Sequence, residues 1–374
     1  MRSLQLETIR SPEGMTTLAD AWNALAERCS GYHLSQTHQW AAAAWSAVAQ
    51  RRGRQLAIVA GRVDGRLVAV WPLVTRRTYG IRLVCPLDSE TTEYCAPLVE
   101  TTREHARWTA ELWRAAAALG DVVLLPHLDL ASDLTSTVGM SSGARHLGHP
   151  VRAPIVYRRD HESWPSYLAT ISASHRSGLR RKRRRLGRLG KVTFSRASPA
   201  VASAMIGWLL DNKRAWMARR GLTNEWLGRD DYRDFLHGLV SNEGPMGSFS
   251  LFVLRVGDTP VAAQLNSIDP TRVEFFIGAH DARFSACSPG EIVTEECLQW
   301  AFERDLDYDF RIGDEAYKFA WARRWRETAS WHIATTRRGM PFIGALHARE
   351  QARRLRFRLG LGRLLPSRLR ALLR

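Results

Sequence analysis

Two distant parts of the chain share one folding pattern. Residues 56–73 contain two apolar runs separated by Asp64-Gly65, and residues 251–265 repeat this around Gly257-Asp258. Short Asp/Gly pairs between apolar runs favour a β-hairpin. Helical sequence containing Trp precedes each predicted hairpin, at residues 38–50 and 200–221. The repeat predicts two similar α/β domains in tandem, although two independent hairpins would give the same pattern.

The rest of the pattern sets the predicted domain bounds. We expect an N-terminal half at 1–150, a C-terminal half at 151–340 and a basic amphipathic tail at 341–374. The first half should contain a strand at 81–84, a helix at 103–119, a strand at 121–125 and a polar loop at 132–149. The second half should contain strands at 153–157, 191–196 and 272–279, and helices at 163–189 and 290–304.

The composition indicates a packed protein without secretion or membrane signals. Hydrophobic residues make up 45% of the chain, and 14 tryptophans argue against disorder. The 5 cysteines show no C-x-x-C spacing, which favours reduced thiols over a disulfide framework or a metal site. There is no apolar leader and no run of about 18 apolar residues. We therefore expect a cytoplasmic protein, either free or peripheral on the inner membrane face.

A strand, a glycine turn and a helix follow one another at residues 307–326. Acidic residues, a tyrosine and a lysine crowd between Asp307 and Lys318, around Gly313. Polar groups at the end of a strand are typical of a site in an open α/β sheet.

This segment resembles the D-F-x-x-G-x-E-x-Y-K pattern of the CelD/BcsL-type (BioF2-like) acetyltransferases of the GNAT superfamily. The matching residues are Asp309, Phe310, Gly313, Glu315, Tyr317 and Lys318. The resemblance covers roughly residues 35–335 and implies tandem GNAT-like mixed-sheet α/β domains, related to those of the Fem transferases. It also implies direct acyl transfer from acetyl-CoA or another acyl-CoA, without a metal, in envelope or polysaccharide synthesis.

The chemistry of acyl transfer suggests roles for the residues of this segment. A base must take a proton from the acceptor and an acid must protonate the leaving thiolate. We assign Asp309 and Glu315 to acceptor or base roles, and Tyr317 to the acid role. Glu274, in the preceding strand, is a second candidate base. Lys318 would contact an anion, or it would simply pair with Asp314 on one helix face.

The donor pyrophosphate is expected at the start of the helix at 290–304. Ser288 suits an N-cap, Pro289 suits the first helical position, and Gly290 allows close approach to the backbone. Helix N-termini attract anions. We therefore assign Ser288, Gly290 and Arg283 to donor binding, although an ordinary helix start would look the same.

Three further residues are assigned to substrate binding. Tyr94 and Pro97 resemble the family's D-Y-x-x-P segment, with Glu93 in place of the usual Asp. This segment would line a cleft between the halves, or else form a surface loop. Asp314 and Arg180 complete the predicted substrate contacts.

Positive charge is concentrated in two segments of a chain with net charge +17. The helix around residues 176–188 is almost entirely Arg and Lys on its polar faces, and the tail Arg349–Arg374 alternates Arg with Leu. Such segments suit CoA phosphates, a nucleotide- or lipid-linked substrate, tRNA or anionic headgroups. Enrichment of Arg without any binding purpose is the simpler alternative for the dispersed charge.

The sequence therefore predicts an acyltransferase that acylates an amine or hydroxyl acceptor. One alternative is a Fem-like transferase that uses aminoacyl-tRNA. The other is a non-catalytic GNAT scaffold that binds a membrane-associated synthesis complex through its basic segments.

Overall fold

The computed structural model describes residues 3–358 except 88–90, 92, 142, 223, 225, 242 and 243. The strands are β1 (Gln5–Ile9), β2 (Gln55–Leu56), β3 (Ile58–Val63), β4 (Arg66–Trp71), β5 (Leu73–Thr78), β6 (Ile81–Pro86), β7 (Leu98–Val99), β8 (Val122–Asp129), β9 (Ala144–Val156), β10 (Val192–Arg196), β11 (Ser248–Val256), β12 (Thr259–Ile268), β13 (Arg272–His280), β14 (Asp307–Asp309) and β15 (Arg324–Ala334). The helices are α1 (Pro12–Thr17), α2 (Ala19–Glu27), α3 (His38–Ala44), α4 (His105–Ala117), α5 (Asp133–Gly139), α6 (Trp164–Thr170), α7 (Ala173–Gly187), α8 (Pro199–Arg219), α9 (Asp230–Ser241), α10 (Pro289–Phe302), α11 (Ala316–Trp321) and α12 (Gly339–Arg358).

Both predicted hairpins are confirmed. β3 and β4 pair antiparallel around Asp64 and Gly65, both with positive φ, and β11 and β12 pair around Gly257 and Asp258. Each hairpin is followed by a parallel strand pair that is connected through a helix: β6–α4–β8 in the first half and β13–α10–β14 in the second. The repeat therefore extends well beyond the hairpins and confirms the mixed α/β fold.

One mixed sheet runs through both halves. Its 11 strands lie in the order β10-β11-β12-β13-β14-β9-β15-β8-β6-β5-β2, and a second sheet has the order β1-β3-β4-β7. β15 is the last strand in chain order, yet it lies between β9 and β8 in the sheet and is antiparallel to both. The late strand thus joins the two halves edge to edge.

Side chains alternate between the two faces of the sheet, as expected for strands. In β11, Phe252 and Leu254 pack towards α6, α7 and α10. Leu251 and Val253 pack on the other face with α8 and α9, in a core that also includes Trp40 of the first half. A separate core around Trp71 and Leu112 fills the first half.

Two predicted elements are wrong. The segment 132–149, predicted to be a loop, contains α5, which Ser132 caps by accepting from Thr135 N–H, and the start of β9. The predicted boundary at residue 150 lies inside β9. The single helix predicted at 163–189 is interrupted: α6 ends before Ile171, and Ser172 caps α7 by accepting from His175 N–H. Both predictions failed because they did not include the helix caps at Ser132 and Ser172, and the first also because β9 pairs with strands distant in the chain.

The basic tail is described only in part. α12 spans Gly339–Arg358, so its start covers the predicted boundary at residue 340. The predicted break near Pro366 lies outside the described residues. In the described part of the chain, no helix combines the length and apolar character needed to cross a membrane.

Candidate active site

The site begins where two parallel strands separate. β13 and β14 pair at Arg272–Asp307, Val273–Tyr308 and Glu274–Asp309, and the ladder ends there. β13 then continues along β12 to His280, and its extra residue Phe276 forms a bulge opposite Leu265 and Asn266. A gap of this kind leaves backbone and side chains open to a ligand between the strands.

A cavity of about 1270 Å³ lies at this gap, and we call it the central cavity. Its walls come from β13 and the start of α10, from residues 310–318, and from the C-terminal part of α8. The first half contributes Thr91, Glu93, Pro126 and His127. The central cavity is therefore built by both halves of the chain.

Five of the predicted site residues line this cavity: Glu315, Tyr317, Lys318, Ser288 and Gly290. Lys318 is buried, donates to the carbonyl of Ile312 at 2.5 Å and pairs with Glu315 at 3.1 Å. Burial raises the pKa of Tyr317, and the charges of Glu315 and Glu93 raise it further, so the phenol stays protonated. The cavity thus holds a buried cation beside a protonated hydroxyl.

The start of α10 differs from the prediction in one respect. Ser288 has the left-handed backbone expected of glycine, with φ 47°, and its side chain makes no cap hydrogen bond. Pro289 occupies the first turn as predicted. Ser288 therefore shapes the turn through its backbone and leaves its hydroxyl for other partners.

Asp309, Glu274 and Tyr94 lie together in a buried cluster beside the cavity. The Tyr94 hydroxyl donates to Asp309 at 3.3 Å, and Arg326 forms an ion pair with the same carboxylate. Glu274 is bound by His33 and accepts from Ser267 at 3.3 Å. We call His33, Tyr94, Glu274, Asp309 and Arg326 the ion network.

The hydrogen-bond partners of His33 determine which ring nitrogen carries the proton. Arg326 can only donate, and its Nη1 lies 3.3 Å from His33 Nε2, so Nε2 accepts and Nδ1 carries the proton towards Glu274. Burial lowers the pKa of His33, and the charges of Arg272 and Arg326 support the neutral form. Burial opposes ionisation of Glu274, but the contacts with His33 and two arginines outweigh it and lower the pKa of this carboxyl.

The ion network also bears on metal binding. His33, Glu274 and Asp309 offer ligand atoms within 4.8 Å of one another. The guanidinium of Arg326 already contacts Asp309 and His33, and the His33 ring nitrogen facing Glu274 carries a proton. The donor set therefore does not fit a cation.

Three predicted residues lie outside both groups. Asp314 pairs with Arg152 at 2.8 Å, so its predicted pairing with Lys318 is wrong. Arg283 folds back onto Asp281 at 2.6 Å at the protein surface. Arg180 is an exposed residue of α7 and does not line the central cavity. Ion pairs with other residues, or a position on the outward face of a helix, keep these side chains from the cavity.

The cationic wall from α8 was missed in the sequence. Lys213, Arg219 and Arg220 line the cavity, and Lys213 and Arg220 stack on Trp216 at 4.8 and 4.3 Å. None of the three cations forms an ion pair within the described part of the chain. Residues 213, 216, 217 and 220 recur at the spacing of one helix face, which is the signal that could have revealed them.

His127 and Arg326 were missed as well. Their positions depend on β8 and β15 being neighbours, a pairing between distant parts of the chain. No local sequence pattern predicts such a pairing.

Comparison with known proteins identifies the C-terminal fold. Residues 173–319 match the sequence model of an acetyltransferase (GNAT) domain. No curated protein sequence is similar to the chain at a significant level.

Solved structures extend the similarity of fold to most of the chain. FemX has a TM-score of 0.63 at 12% identity, over 88% of this chain and 98% of that one. The C-terminal domain of a putative lysylphosphatidylglycerol synthetase from Agrobacterium fabrum has a TM-score of 0.52 at 12% identity, over 89% and 96%. L-PGS from Bacillus licheniformis has a TM-score of 0.50 at 13% identity, over 88% and 93%. Residues 173–319 match a GNAT acetyltransferase domain, and this match supports an acyltransferase.

Proposed function

We propose that the protein moves an acyl group from an acyl-CoA, bound in the central cavity, to an amine or hydroxyl of an envelope or polysaccharide acceptor. The observation that carries this proposal is the α8 wall of three cations facing the gap between β13 and β14. Phosphate groups of a CoA donor would neutralise these cations. Membership of the narrower CelD/BcsL-type family, inferred from the residues at 309–318, belongs to the same proposal.

The donor would run from α8 to residues 309–318. Its phosphates would lie against Lys213, Arg219 and Arg220, and against the backbone at Ser288 and Gly290. Its thioester would reach the end of β14, beside Tyr317 and Lys318. The aromatic side chains of Trp216 and Phe276 would cover the apolar part of the donor.

The reaction would proceed by direct transfer. The acceptor nitrogen or oxygen forms a bond to the acyl carbon as the bond from that carbon to sulfur breaks. The Tyr317 hydroxyl supplies the proton to the departing sulfur, and its raised pKa keeps that proton in place beforehand. Glu315 and Lys318, held together as a pair, would orient the acceptor.

The ion network would support this geometry. Asp309 accepts the backbone N–H of Arg311 at 2.6 Å as well as the contacts from Tyr94 and Arg326. It would therefore act as a positioning residue for the end of β14. Glu274 would fix His33 in the same way.

A direct test measures donor binding by calorimetry. We expect acetyl-CoA to bind the full-length protein with micromolar affinity at both low and high salt. Replacing Lys213, Arg219 and Arg220 together by alanine should weaken binding at least tenfold. The matched control replaces Arg180, Arg184 and Arg188, which removes the same charge from exposed positions of α7 and its C-cap. Equal effects of the two triple variants would contradict a shaped donor site.

A second candidate is an aminoacyl-tRNA-dependent transferase like the Fem enzymes. The structural similarity to FemX and to proteins named for lysylphosphatidylglycerol synthesis favours considering it. Arg180 and Arg184 of α7 and its C-cap residue Arg188 are also exposed. If this second function is correct, tRNA should bind in a salt-sensitive way, and the Arg180, Arg184 and Arg188 triple variant should abolish that binding. Acetyl-CoA should not bind.

A further inference from the structure

A bulge in β8 points one histidine of the first half into the central cavity. β15 pairs Trp331 with Leu125 and Ala329 with Leu128, so Pro126 and His127 together face Ser330. The backbone N–H of His127 donates to Ser330 Oγ at 3.2 Å, which holds the bulge in place. Bulges of this kind redirect a side chain and are common beside active sites.

The backbone of His127 is strained. Its φ is 45°, in the left-handed region that residues other than glycine adopt only uncommonly. Such a conformation persists where the surroundings enforce it. Here β15 enforces it, and the result is an imidazole in the cavity wall rather than on a sheet face.

The ring of His127 has unused hydrogen-bonding capacity. Its Nδ1 is buried and has no hydrogen-bond partner in the described part of the chain. Burial lowers the pKa of His127, and the nearby charge of Arg311 lowers it further. A neutral imidazole therefore lines the cavity, and its buried Nδ1 is used by no described protein group.

The charged groups around His127 are paired with one another. Glu93 pairs with Arg311 at 3.4 Å and Glu315 pairs with Lys318 at 3.1 Å, so each cavity carboxylate near the end of β14 already holds a cation. The charge of Arg311 disfavours an imidazolium at His127. Among the described residues, His127 also forms no ion pair, and unlike the unpaired cations of α8 its ring is neutral.

We propose that His127 is the general base that takes the proton from the acceptor during acyl transfer. This inference rests on the proposed function. As the acceptor nitrogen or oxygen bonds to the acyl carbon, its proton passes to a ring nitrogen of His127. The sulfur leaves with the proton of Tyr317, and the imidazolium and tyrosinate return to neutrality through solvent. The first half thereby supplies the base and the second half the acid.

The test uses two variants that tolerate a positive φ. His127→Asn keeps a polar side chain suited to the left-handed region, and His127→Gly removes both the ring and the strain. Activity is measured as CoA release from acetyl-CoA with D-glucosamine and a panel of primary amines as acceptor probes. Each variant should lose about 10²–10⁴-fold in kcat/KM while acetyl-CoA affinity stays unchanged.

Two readouts separate a base from a structural role. Added imidazole should restore activity to His127→Gly but not to His127→Asn. In the wild type, kcat/KM should fall on the acidic side with an apparent pKa below 6.5, and this limb should disappear in His127→Asn.

The outcomes distinguish the two proposals. A wild type that turns over acetyl-CoA, with variants that are equally active and equally pH-dependent, would overturn the role of His127 alone. A wild type that binds acetyl-CoA but never releases CoA, or that does not bind it, would overturn the proposed function and this inference with it.

Discussion

Tyr317 is the side chain whose removal most directly tests the acid role. Tyr317→Phe keeps the ring and removes the hydroxyl, so the thiolate would leave without a proton. We expect kcat to fall about 10²–10⁴-fold, with acetyl-CoA affinity unchanged. Stopped-flow release of CoA measures the loss.

The matched control for this variant is Tyr79→Phe. Tyr79 is 96% exposed, so the same chemical change should leave kcat unaltered. A Tyr317→Phe enzyme with wild-type kcat would remove Tyr317 from the reaction.

The lowered pKa of His33 should make the free energy of unfolding depend on pH. Its pKa is lowered on folding, so the folded protein resists protonation that the unfolded chain accepts. The stabilisation is complete above the unfolded pKa of about 6.5 and is lost as the pH falls below it. His33→Asn, whose amide N–H can still donate to Glu274, should flatten this dependence.

Urea unfolding between pH 7.5 and 5 measures the slope for both proteins. The two slopes should differ by at most one proton, because His33 binds one. A slope should remain in the variant, since partly buried histidines with lowered pKa, such as His38 and His280, are still present. Identical slopes would show that His33 already binds a proton in the folded state.

For single site residues, the prediction succeeded where the partners of a side chain lie close to it in the sequence. Glu315, Tyr317 and Lys318 follow one strand end, and the structure brings them into one cavity. Asp309 sits in the same segment but faces Arg326 and Tyr94, and the latter comes from the other half of the chain. A side chain's distant partner decides whether it faces a ligand or a buried ion.

The turn between β14 and α11 depends on Gly313. Its φ is 134°, and an added Cβ would overlap the Glu315 carboxylate and lie 2.8 Å from Lys318 Nζ. We expect Gly313→Ala to cost about 1–3 kcal/mol of unfolding free energy. Because it displaces the Glu315–Lys318 pair, it should also reduce acyl transfer, measured as CoA release.

Gly207→Ala provides the matched comparison. Gly207 lies inside α8, and a Cβ added there would meet no neighbouring group within 4 Å. Alanine at this position should raise the unfolding free energy by about 0.5–1 kcal/mol and leave activity unchanged. Equal behaviour of the two variants would show that the turn at Gly313 adjusts freely.

Elements with a strong local pattern were predictable. The hairpins, α4 and α10 follow from turn residues and helical spacing, and the structure has them close to the expected bounds. The strand predicted at 153–157 matches the end of β9, but its start at 144–152 was not predictable, because this stretch is rich in Arg and His and gains its strand conformation from β15. Strands that depend on partners far along the chain leave little trace in their own sequence.

The order of the large sheet makes the two predicted halves interdependent. β15 is encoded in the second half but covers β8 of the first, and a cut at residue 150 divides β9. We expect residues 1–150 expressed alone to lack a cooperative unfolding transition, because β8 would have an open edge.

Thermal unfolding followed by circular dichroism tests this, with the intact chain as control. Coexpression of 1–143 with 144–374, which leaves β9 whole, should recover more folded protein than coexpression of 1–150 with 151–374. A cooperative transition in isolated 1–150 would instead support independent domains.

The late position of β15 also has a consequence for synthesis on the ribosome. Chains emerge from the N-terminus at about 5–20 residues per second. β8 and β9 therefore lack the strand that pairs with both of them until the chain through Arg324–Ala334 has been synthesised. During that interval two unpaired edges face the crowded cell, so nascent chains of this protein should depend on chaperones until the final central strand arrives.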